Sequence, residues 1–321
     1  MGAVHARTVA PSPLIDVVAV ADTDTAAAAS VAGEIGASPS STIDRLVDVT
    51  GIDAWLIATP TSTHPVLVRQ AMAAGVHVLC EKPLSLDVAD SERLGAEAGD
   101  AGLLLQIGFW RRFSPPWATA KRLIDEGAIG RPLMVRLSQW DADPPPASFC
   151  DPAKSGGLAI DCGVHEFDLA EWLTGRTVHR VTSFNLPLVD ESLATVGDVD
   201  NLVAVLEMGE GVVATVDLSR NCRYEDDVRT EILGENGAIF IDLLPIGRTR
   251  LATASGVEVV AGSETDDAFS VGILRQAEAF ARAVAGEDVD YPDAGASTRA
   301  VRTGWAVREA AESGPVEVYG E

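Results

Sequence analysis

The chain is poor in basic residues, and it has no long apolar run. Its 321 residues include 24 Lys and Arg against 48 Asp and Glu, which gives a net charge of −24. This charge repels nucleic-acid phosphates and anionic lipid surfaces, so we predict neither as a partner. No apolar run approaches the ~18 residues that span a bilayer. No basic-then-apolar leader opens the chain, so we expect a cytoplasmic protein.

Cysteine is also scarce, and its spacing excludes some kinds of site. The four cysteines, Cys80, Cys150, Cys162 and Cys222, are scattered and lack the spacing of metal ligands. We therefore predict reduced thiols and no metal site. The hydrophobic content of 47% is ordinary for a globular enzyme, and the length is sufficient for two domains with separate cores.

In the first third of the chain, short β-rich runs alternate with helical stretches. Strands are predicted at 15–21, 54–58, 76–80 and 103–107, with helices at 25–33, 65–74 and 87–98. This alternation predicts a parallel sheet covered by helices on both faces. Such sheets bind ligands beyond the carboxyl ends of their strands. The residues at those ends are Asp22, Thr59, Pro60, Glu81, Lys82 and Gly108.

After about residue 107 the pattern changes. The segments 202–208 and 211–218 are typical of antiparallel strands joined by a turn at Gly209-Glu210. Further strands are predicted at 131–137, 229–233 and 238–242. We predict an α/β domain at 1–107 and an α+β domain at 108–321, the second built on a large, open, mainly antiparallel sheet.

The N-terminus fits the later part of a dinucleotide-binding motif. A Rossmann-type domain opens with a strand and then Gly-x-Gly-x-x-Gly, which admits a pyrophosphate to a helix N-terminus. Gly2 fits the third glycine, and Asp22 stands where an acid holds the adenosine ribose. On this interpretation the domain at 1–107 is N-terminally truncated and lacks the first strand and first two glycines. The alternative is a true variant with a degraded site.

An acid and an imidazole stand four residues apart after the glycine pair Gly156-Gly157. On one helix, Asp161 and His165 would project from the same face and address one small molecule. Taken alone, they are more simply an acid near a helix start and a partly buried histidine. The segment Glu81-Lys82-Pro83, at a predicted strand end, shifts the interpretation towards a catalytic site.

Together these motifs resemble the Gfo/Idh/MocA family (glucose–fructose oxidoreductase, inositol dehydrogenase and rhizopine catabolism). The resemblance runs from residue 1 to about 318. It rests on Met1-Gly2 with His5, Ala21-Asp22, Ala58-Thr59-Pro60 with His64, Glu81-Lys82-Pro83, Gly108-Phe109-Trp110-Arg111-Arg112-Phe113, and Asp161 with His165. Inositol 2-dehydrogenases are the most similar members, through 108–113, 141–146 and 221–227. Trp110 replaces a commoner methionine and Asp226 a frequent tyrosine, which leaves the polyol or sugar open.

The resemblance implies an NAD-dependent dehydrogenase that oxidises a secondary hydroxyl of a cyclic polyol or sugar. In the family, the residues matching Lys82, Asp161 and His165 converge on the reacting hydroxyl. His165 would take or relay the proton, Lys82 would hydrogen-bond the alkoxide, and Asp161 would orient the substrate. Whether Lys82 or His165 is the proximate base is left open. The carboxylate of Asp22 would repel a 2′-phosphate, which favours NAD over NADP.

The resemblance also implies the residues that contact the two ligands. The expected cofactor contacts are Gly2, Asp22, Thr59, Pro60, His64, Glu81 and Lys82. The expected substrate contacts are Trp110, Arg111, Asp143 and Tyr224. Four of these have structural alternatives: Lys82 as a solvated lysine after a strand, His64 as a helix cap, Asp143 as the start of a turn, and Trp110 as a core residue.

Two other functions remain open at this point. Some relatives use bound NAD transiently to cleave glycosidic bonds, with no net change in the free cofactor pool. A non-catalytic sugar-binding relative is the second alternative, suggested by the missing glycine loop. The family likeness further implies a homodimer or homotetramer assembled through the face of the second-domain sheet.

Overall fold

A computed structural model describes residues 1–40, 51–242, 248–262 and 267–319. The chain divides into two units, which we call unit 1 (Met1–Phe113 with Phe269–Ala296) and unit 2 (Ser114–Ala268 with Ser297–Glu321). The assignment of an NAD domain to 1–107 and a substrate domain to 108–321 stays a prediction. Among the described residues, no helix has the length and apolar composition to cross a bilayer.

Unit 1 contains short parallel strands alternating with helices. Its strands are β1 (Ala19–Ala21), β2 (Ser38–Ser40), β3 (Ala54–Ile57), β4 (His77–Cys80) and β5 (Leu105–Ile107). Its helices are α1 (Gly2–Val9), α2 (Thr25–Ile35), α3 (His64–Ala73), α4 (Val88–Ala101) and nearly all of α10 (Ala268–Val284). Strands β3, β4 and β5 form one parallel sheet in that order, and β1 pairs in parallel with β2. The predicted α/β alternation is confirmed, although β1 is shorter than the predicted strand at 15–21.

Aspartate side chains begin two of the unit 1 helices. Asp24 Oδ1 accepts hydrogen bonds from the amides of Ala26 (2.9 Å) and Ala27 (3.1 Å) at the start of α2. Asp87 caps α4 in the same way. These carboxylates satisfy amides that have no partner within the helix, and they complement the helix dipole. Gly36 ends α2 in the left-handed conformation, with φ +76°.

Helix α10 completes the core of unit 1 from a distant part of the sequence. Its residues Ala277 and Phe280 pack in one cluster with Val9 of α1 and Leu79 of β4. The side-chain amide of Gln106 in β5 donates to a backbone carbonyl of α10 at 3.1 Å. Unit 1 is therefore built from two segments that are separated by most of unit 2 in sequence.

Unit 2 is built on a nine-stranded sheet. Its strands are β6 (Pro132–Trp140), β7 (Val178–Asn185), β8 (Asn201–Met208), β9 (Val213–Ser219), β10 (Asp227–Gly234), β11 (Gly237–Asp242), β12 (Arg248–Thr253), β13 (Gly256–Gly262) and β14 (Val316–Glu317). Their order is β13-β12-β11-β10-β6-β9-β8-β7-β14, and β6–β9 is a parallel pair within this otherwise antiparallel sheet. The prediction of a large, mainly antiparallel sheet is confirmed. Strands β7, β12, β13 and β14 were not predicted.

Helices cover one face of this sheet. The helices of unit 2 are α5 (Pro115–Asp125), α6 (Ala147–Cys150), α7 (Pro152–Ser155), α8 (Leu158–Asp161), α9 (Gly163–Thr174) and most of α11 (Ala294–Ser313). Helix α9 packs on β6 and β9, and α5 packs on β11, β12 and β13. On the opposite face, Val203 and Val205 are half-buried and their neighbour Phe184 is 60% exposed. We call this second surface the open face of the sheet.

Candidate active site

The carboxyl ends of β3 and β4 carry most of the residues predicted to contact the cofactor. Thr59-Pro60 follows β3, and Glu81-Lys82 follows β4. Because the two strands are parallel neighbours, their carboxyl ends share one edge of the sheet. Helix α1 begins beside β3, since a Cβ atom at Gly2 would lie 3.9 Å from the Cβ of Ala58.

His64 connects these two strand ends. Its ring is buried, with Nε2 2.8 Å from the carbonyl oxygen of Thr59 and Nδ1 2.8 Å from that of Pro83. Both contacts are to loop carbonyls, so the side chain holds two loops together although His64 is the first residue of α3. Its predicted contact with the cofactor stays a prediction.

The carboxylate of Glu81 lies between His5 and the backbone of Lys82. His5 Nε2 is 2.6 Å from Oε1, and the Lys82 amide donates to Oε2 at 3.1 Å. A Cβ at Gly108 would lie 3.0 Å from Oε2, so this glycine allows close packing. Burial raises the pKa of Glu81, but the hydrogen bond from His5 and the charges of His5 and Lys82 lower it below its usual value. Glu81 is thus a buried carboxylate that fixes the backbone at Lys82.

The unit 1 groups fit the parts of a dinucleotide. Asp22 follows β1, is exposed, and accepts the Asp24 amide at 2.9 Å, which orients its carboxylate. An exposed carboxylate suits ribose hydroxyls, and the α1 N-terminus at Gly2 suits a pyrophosphate. The donor set therefore fits NAD. Within the ranges that the structure describes, no group of three or more His, Cys, Asp or Glu side chains is placed to hold a metal ion.

Trp110 and Arg111 belong to a packed cluster in unit 1. They lie in a short 3₁₀ helix, Trp110–Phe113, and both side chains are buried. The edge of the Trp110 ring meets that of Phe269 in α10 with 5.0 Å between centroids. The Arg111 guanidinium lies 5.7 Å from the Trp110 ring centroid, within cation–π distance. Their predicted contact with substrate is not tested by this packing.

In unit 2, Asp161 and His165 lie on two successive helices instead of one. Helix α8 ends at Asp161, and α9 begins at Gly163. Glycine is a poor helix former, and a Cβ at Gly163 would lie 2.8 Å from the Phe167 ring. His165 is in the first turn of α9 and is buried. The prediction that Asp161 and His165 project from one face of a single helix is therefore wrong. Asp161 is the last residue of α8, and His165 is in the first turn of α9.

A group of buried charges lies next to Asp161. Arg220 Nη2 is 3.2 Å from Asp161 Oδ2, and Nη1 is 3.2 Å from Asp198 Oδ2. Asp198 also accepts the Leu158 amide (3.0 Å) and the Arg308 guanidinium (3.2 Å). We call Asp161, Arg220, Asp198 and Arg308 the buried charge network. Two guanidinium groups balance two carboxylates, as burial requires.

The surroundings of Arg220 keep its guanidinium charged. Burial lowers the pKa of Arg220, but the neighbouring acidic groups outweigh this and raise it above its usual value. Burial raises the pKa of the Cys150 thiol, which contacts Nη1, so Cys150 is a neutral neighbour. Gly157 has φ +69°, and a Cβ there would lie 2.4 Å from Asp198 Oδ1. The second glycine of the pair thus makes room for the buried carboxylate.

The other two predicted substrate residues lie in exposed segments of unit 2. Asp143 is exposed on the segment after β6. Tyr224 is 60% exposed, and its hydroxyl donates to Asp227 Oδ2 at 2.6 Å, which raises the pKa of Tyr224. Arg229 pairs with the same carboxylate. Contacts of Asp143 and Tyr224 with substrate stay predictions.

Two family models match most of this chain. The first, an oxidoreductase family with an NAD-binding Rossmann fold, matches residues 1–109. The second, the Gfo/Idh/MocA C-terminal domain, matches residues 117–240. The chain belongs to the Gfo/Idh/MocA family. The predicted family, fold and cofactor are thereby confirmed, and the protein is an NAD-dependent oxidoreductase.

Individual relatives agree with this assignment. The NAD(+)-dependent scyllo-inositol 2-dehydrogenase of Bacillus subtilis is 35% identical over 80% of this chain and 75% of its own. A myo-inositol dehydrogenase of Streptomyces leeuwenhoekii is 33% identical over 99% of this chain and 95% of its own. The scyllo-inositol dehydrogenase of Lactobacillus casei, solved with NAD(H) and scyllo-inositol, superposes with a TM-score of 0.84 at 26% identity. That match covers 98% of this chain and 95% of the other.

Proposed function

We propose that the protein oxidises a secondary hydroxyl of an inositol-like cyclic polyol, with NAD as the hydride acceptor. This proposal rests on one structural match. The superposition on a dehydrogenase solved with NAD(H) and scyllo-inositol covers 98% of this chain. In the reaction the carbinol carbon loses a hydride and its hydroxyl loses a proton. The products are a ketone, NADH and a proton, so atoms and charges balance.

The proposed catalytic residues are Lys82, Asp161 and His165. Bound NAD supplies the hydride acceptor. Lys82 hydrogen-bonds the oxygen as it becomes an alkoxide, and His165 takes or relays the hydroxyl proton. Asp161 orients the substrate through its carboxylate. The fixed Lys82 backbone and the charge network around Asp161 support these roles, because catalytic groups must be held in place before the reaction.

The proposed ligand contacts follow the chemistry of each group. The α1 N-terminus at Gly2 receives the pyrophosphate, and Asp22 holds the adenosine ribose. Thr59, Pro60, His64, Glu81 and Lys82 are proposed to shape the cofactor site near the ends of β3 and β4. Trp110, Arg111, Asp143 and Tyr224 are proposed to contact the polyol.

We further propose that residues 1–107 bind NAD, that 108–321 bind the polyol, and that the protein works in the cytoplasm. The subunits form a homodimer or homotetramer through the open face of the unit 2 sheet. The exposure of Phe184 and the partial exposure of Val203 and Val205 support this surface, since apolar side chains on a sheet face are stabilised by burial.

NADH formation tests the proposed reaction. Absorbance at 340 nm is followed with NAD and, in turn, myo-inositol, scyllo-inositol and glucose, while NAD binding is measured separately by calorimetry. We expect NADH with at least one inositol, and less activity with NADP because Asp22 repels its 2′-phosphate. NAD binding without NADH formation from any polyol would contradict the proposal. Release of nitrophenol from nitrophenyl glycosides would then support the NAD-assisted glycosidase.

A further inference from the structure

Arg220 lies next to Asp161, which is proposed to orient the substrate. The side chain of Arg220 is itself only 1% exposed. We propose that Arg220 is a positioning residue for the reaction, acting through the buried charge network to hold the Asp161 side chain in one orientation. This inference rests on the proposed function, because it concerns the residue proposed to orient the polyol. Arg220 itself is too deeply buried to be proposed as a substrate contact.

Burial within the network decreases towards Asp161. The side chain of Asp198 is 0% exposed, that of Arg220 is 1% exposed, and that of Asp161 is 22% exposed. Asp198 is thus the fully buried acid, which we call the anchor of the network. Arg220 connects it to Asp161, and solvent or a ligand can reach Asp161. A buried arginine needs paired acids, and here one of those acids extends to the surface.

The same network holds both ends of helix α8. Its first residue, Leu158, donates its amide to Asp198, and its last residue, Asp161, accepts Arg220. A helix of one turn is unstable by itself, because a single turn does not repay the cost of nucleation. The orientation of Asp161 therefore depends on contacts outside α8. Arg220 supplies one such contact and, through Asp198, is connected to a second one at the Leu158 amide.

Shape and charge both matter in this arrangement. The planar guanidinium of Arg220 places one terminal nitrogen 3.2 Å from each of two carboxylates, whereas a lysine ammonium is a point charge. The titratable groups that face Arg220 are Asp161, Asp198, Cys150 and Cys162. The Arg220→Lys substitution therefore keeps the positive charge but loses the planar group that reaches both carboxylates. The Arg220→Gln substitution loses the charge and the planar guanidinium.

Steady-state kinetics, with kcat and KM determined separately, tests the proposal. We expect Arg220→Gln to lower kcat for the polyol by about 100-fold, the usual result of a displaced catalytic group. Arg220→Lys should restore only part of kcat, because it keeps the charge but not the planar guanidinium. The Kd for NAD, measured by calorimetry, should stay within about twofold of the wild-type value. A residue that only positions Asp161 is not expected to weaken cofactor binding.

Arg176→Gln is the matched control. Arg176 is also in unit 2 and pairs with Glu210 at 2.6 Å, but this ion pair is largely exposed. Equal losses of kcat in both Gln variants, or a kcat for Arg220→Lys no higher than that of Arg220→Gln, would overturn the proposal. If Arg220→Gln does not fold, Asp198→Asn weakens the anchor with little change in volume, and it should lower kcat by about tenfold.

Crystal structures separate failure of this inference from failure of the proposed function. Absence of NADH from every polyol with the wild type would refute the proposed function. The orientation of Asp161 in Arg220→Gln, compared with the wild type at the same pH, tests the network independently of turnover. We expect a displaced carboxylate or a disordered α8. An unmoved Asp161 in an intact α8 would overturn the inference.

Discussion

The two units hold their proposed catalytic groups by different means. In unit 1, Lys82 follows a strand, and its backbone is fixed by Glu81, which in turn contacts His5. In unit 2, Asp161 ends a one-turn helix and is held by Arg220. Strand ends in a parallel sheet converge through backbone geometry, so unit 1 needs few buried charges. The one-turn helix lacks that support, and unit 2 provides it with paired buried charges.

Removal of the unit 1 ammonium should have the largest effect. Lys82→Met is expected to lower kcat by about a thousandfold, within the range for loss of an acid–base group. NAD binding should change much less than kcat, because Lys82 is only one of the proposed cofactor contacts and the pyrophosphate and ribose are proposed to be held at Gly2 and Asp22. Turnover at 340 nm and calorimetry with NAD measure the two effects. As a control, Lys121→Met removes a lysine that pairs with Asp125 on α5 and should leave kcat unchanged. A Lys82→Met enzyme of near-normal kcat would remove Lys82 from the proposed mechanism.

The next prediction concerns the glycine beside the network. Gly157 has φ 69° and ψ −172°, a conformation almost restricted to glycine, and an added Cβ would meet Asp198 Oδ1 at 2.4 Å. We expect Gly157→Ala to lower the free energy of unfolding by about 3 kcal/mol. Gly99 in α4 of unit 1 is the control, because a Cβ added there would have no atom of the described residues within 4 Å. Gly99→Ala should instead raise the free energy of unfolding by up to about 1 kcal/mol. Urea unfolding of both variants checks the contrast, and equal effects would refute it.

The third prediction concerns Glu81, the buried acid of unit 1. Glu81→Gln should lower the free energy of unfolding by about 2 kcal/mol at neutral pH, because a buried charged hydrogen bond is lost. The folded-state pKa of Glu81 is lowered, so its contribution is present above the unfolded value of about 4.3 and is lost as pH falls through the folded value. Urea unfolding of both proteins from pH 7 to pH 3 should show the difference narrowing.

Glu34→Gln provides the comparison for this acid. Glu34 also contacts α1, through Arg7 at 2.6 Å, but that pair is exposed. Its substitution should have a much smaller effect, because exposed ion pairs contribute little. A pH-independent difference between Glu81→Gln and the wild type would show that Glu81 stabilises by packing and not by charge.

The parallel-sheet region could be predicted because its signals are local. Apolar runs of strand length, separated by helical stretches, mark β3, β4 and β5 in the sequence. The missed strands of unit 2 have weaker patterns. For example, β13 contains Val257 and Val259, yet both are over 60% exposed at the sheet edge. A strand whose side chains are mostly exposed lacks the alternation on which such a prediction depends.

The network around Asp161 could not be predicted from spacing. Arg220 is 59 positions from Asp161 and 22 from Asp198, and His5 is 76 positions from Glu81. Ion pairs over such distances leave no periodic signal in one sequence. The glycine pair Gly156-Gly157 was visible in the sequence before Asp161, but the need for glycine at Gly157 became clear only with the position of Asp198.

Helix α10 belongs to unit 1 but follows most of unit 2 in the sequence, and this order has a consequence for synthesis on the ribosome. Phe280 and Ala277 belong to the same core cluster as Val9 and Leu79, so unit 1 has an incomplete core when its first segment emerges. Nearly all of Ser114–Ala268 must be translated before α10 appears, a delay on the order of ten seconds at about 5–20 residues per second. Unit 1 therefore acquires its last core side chains after most of unit 2 has been made. The nascent chain must keep its first segment from aggregating during that interval.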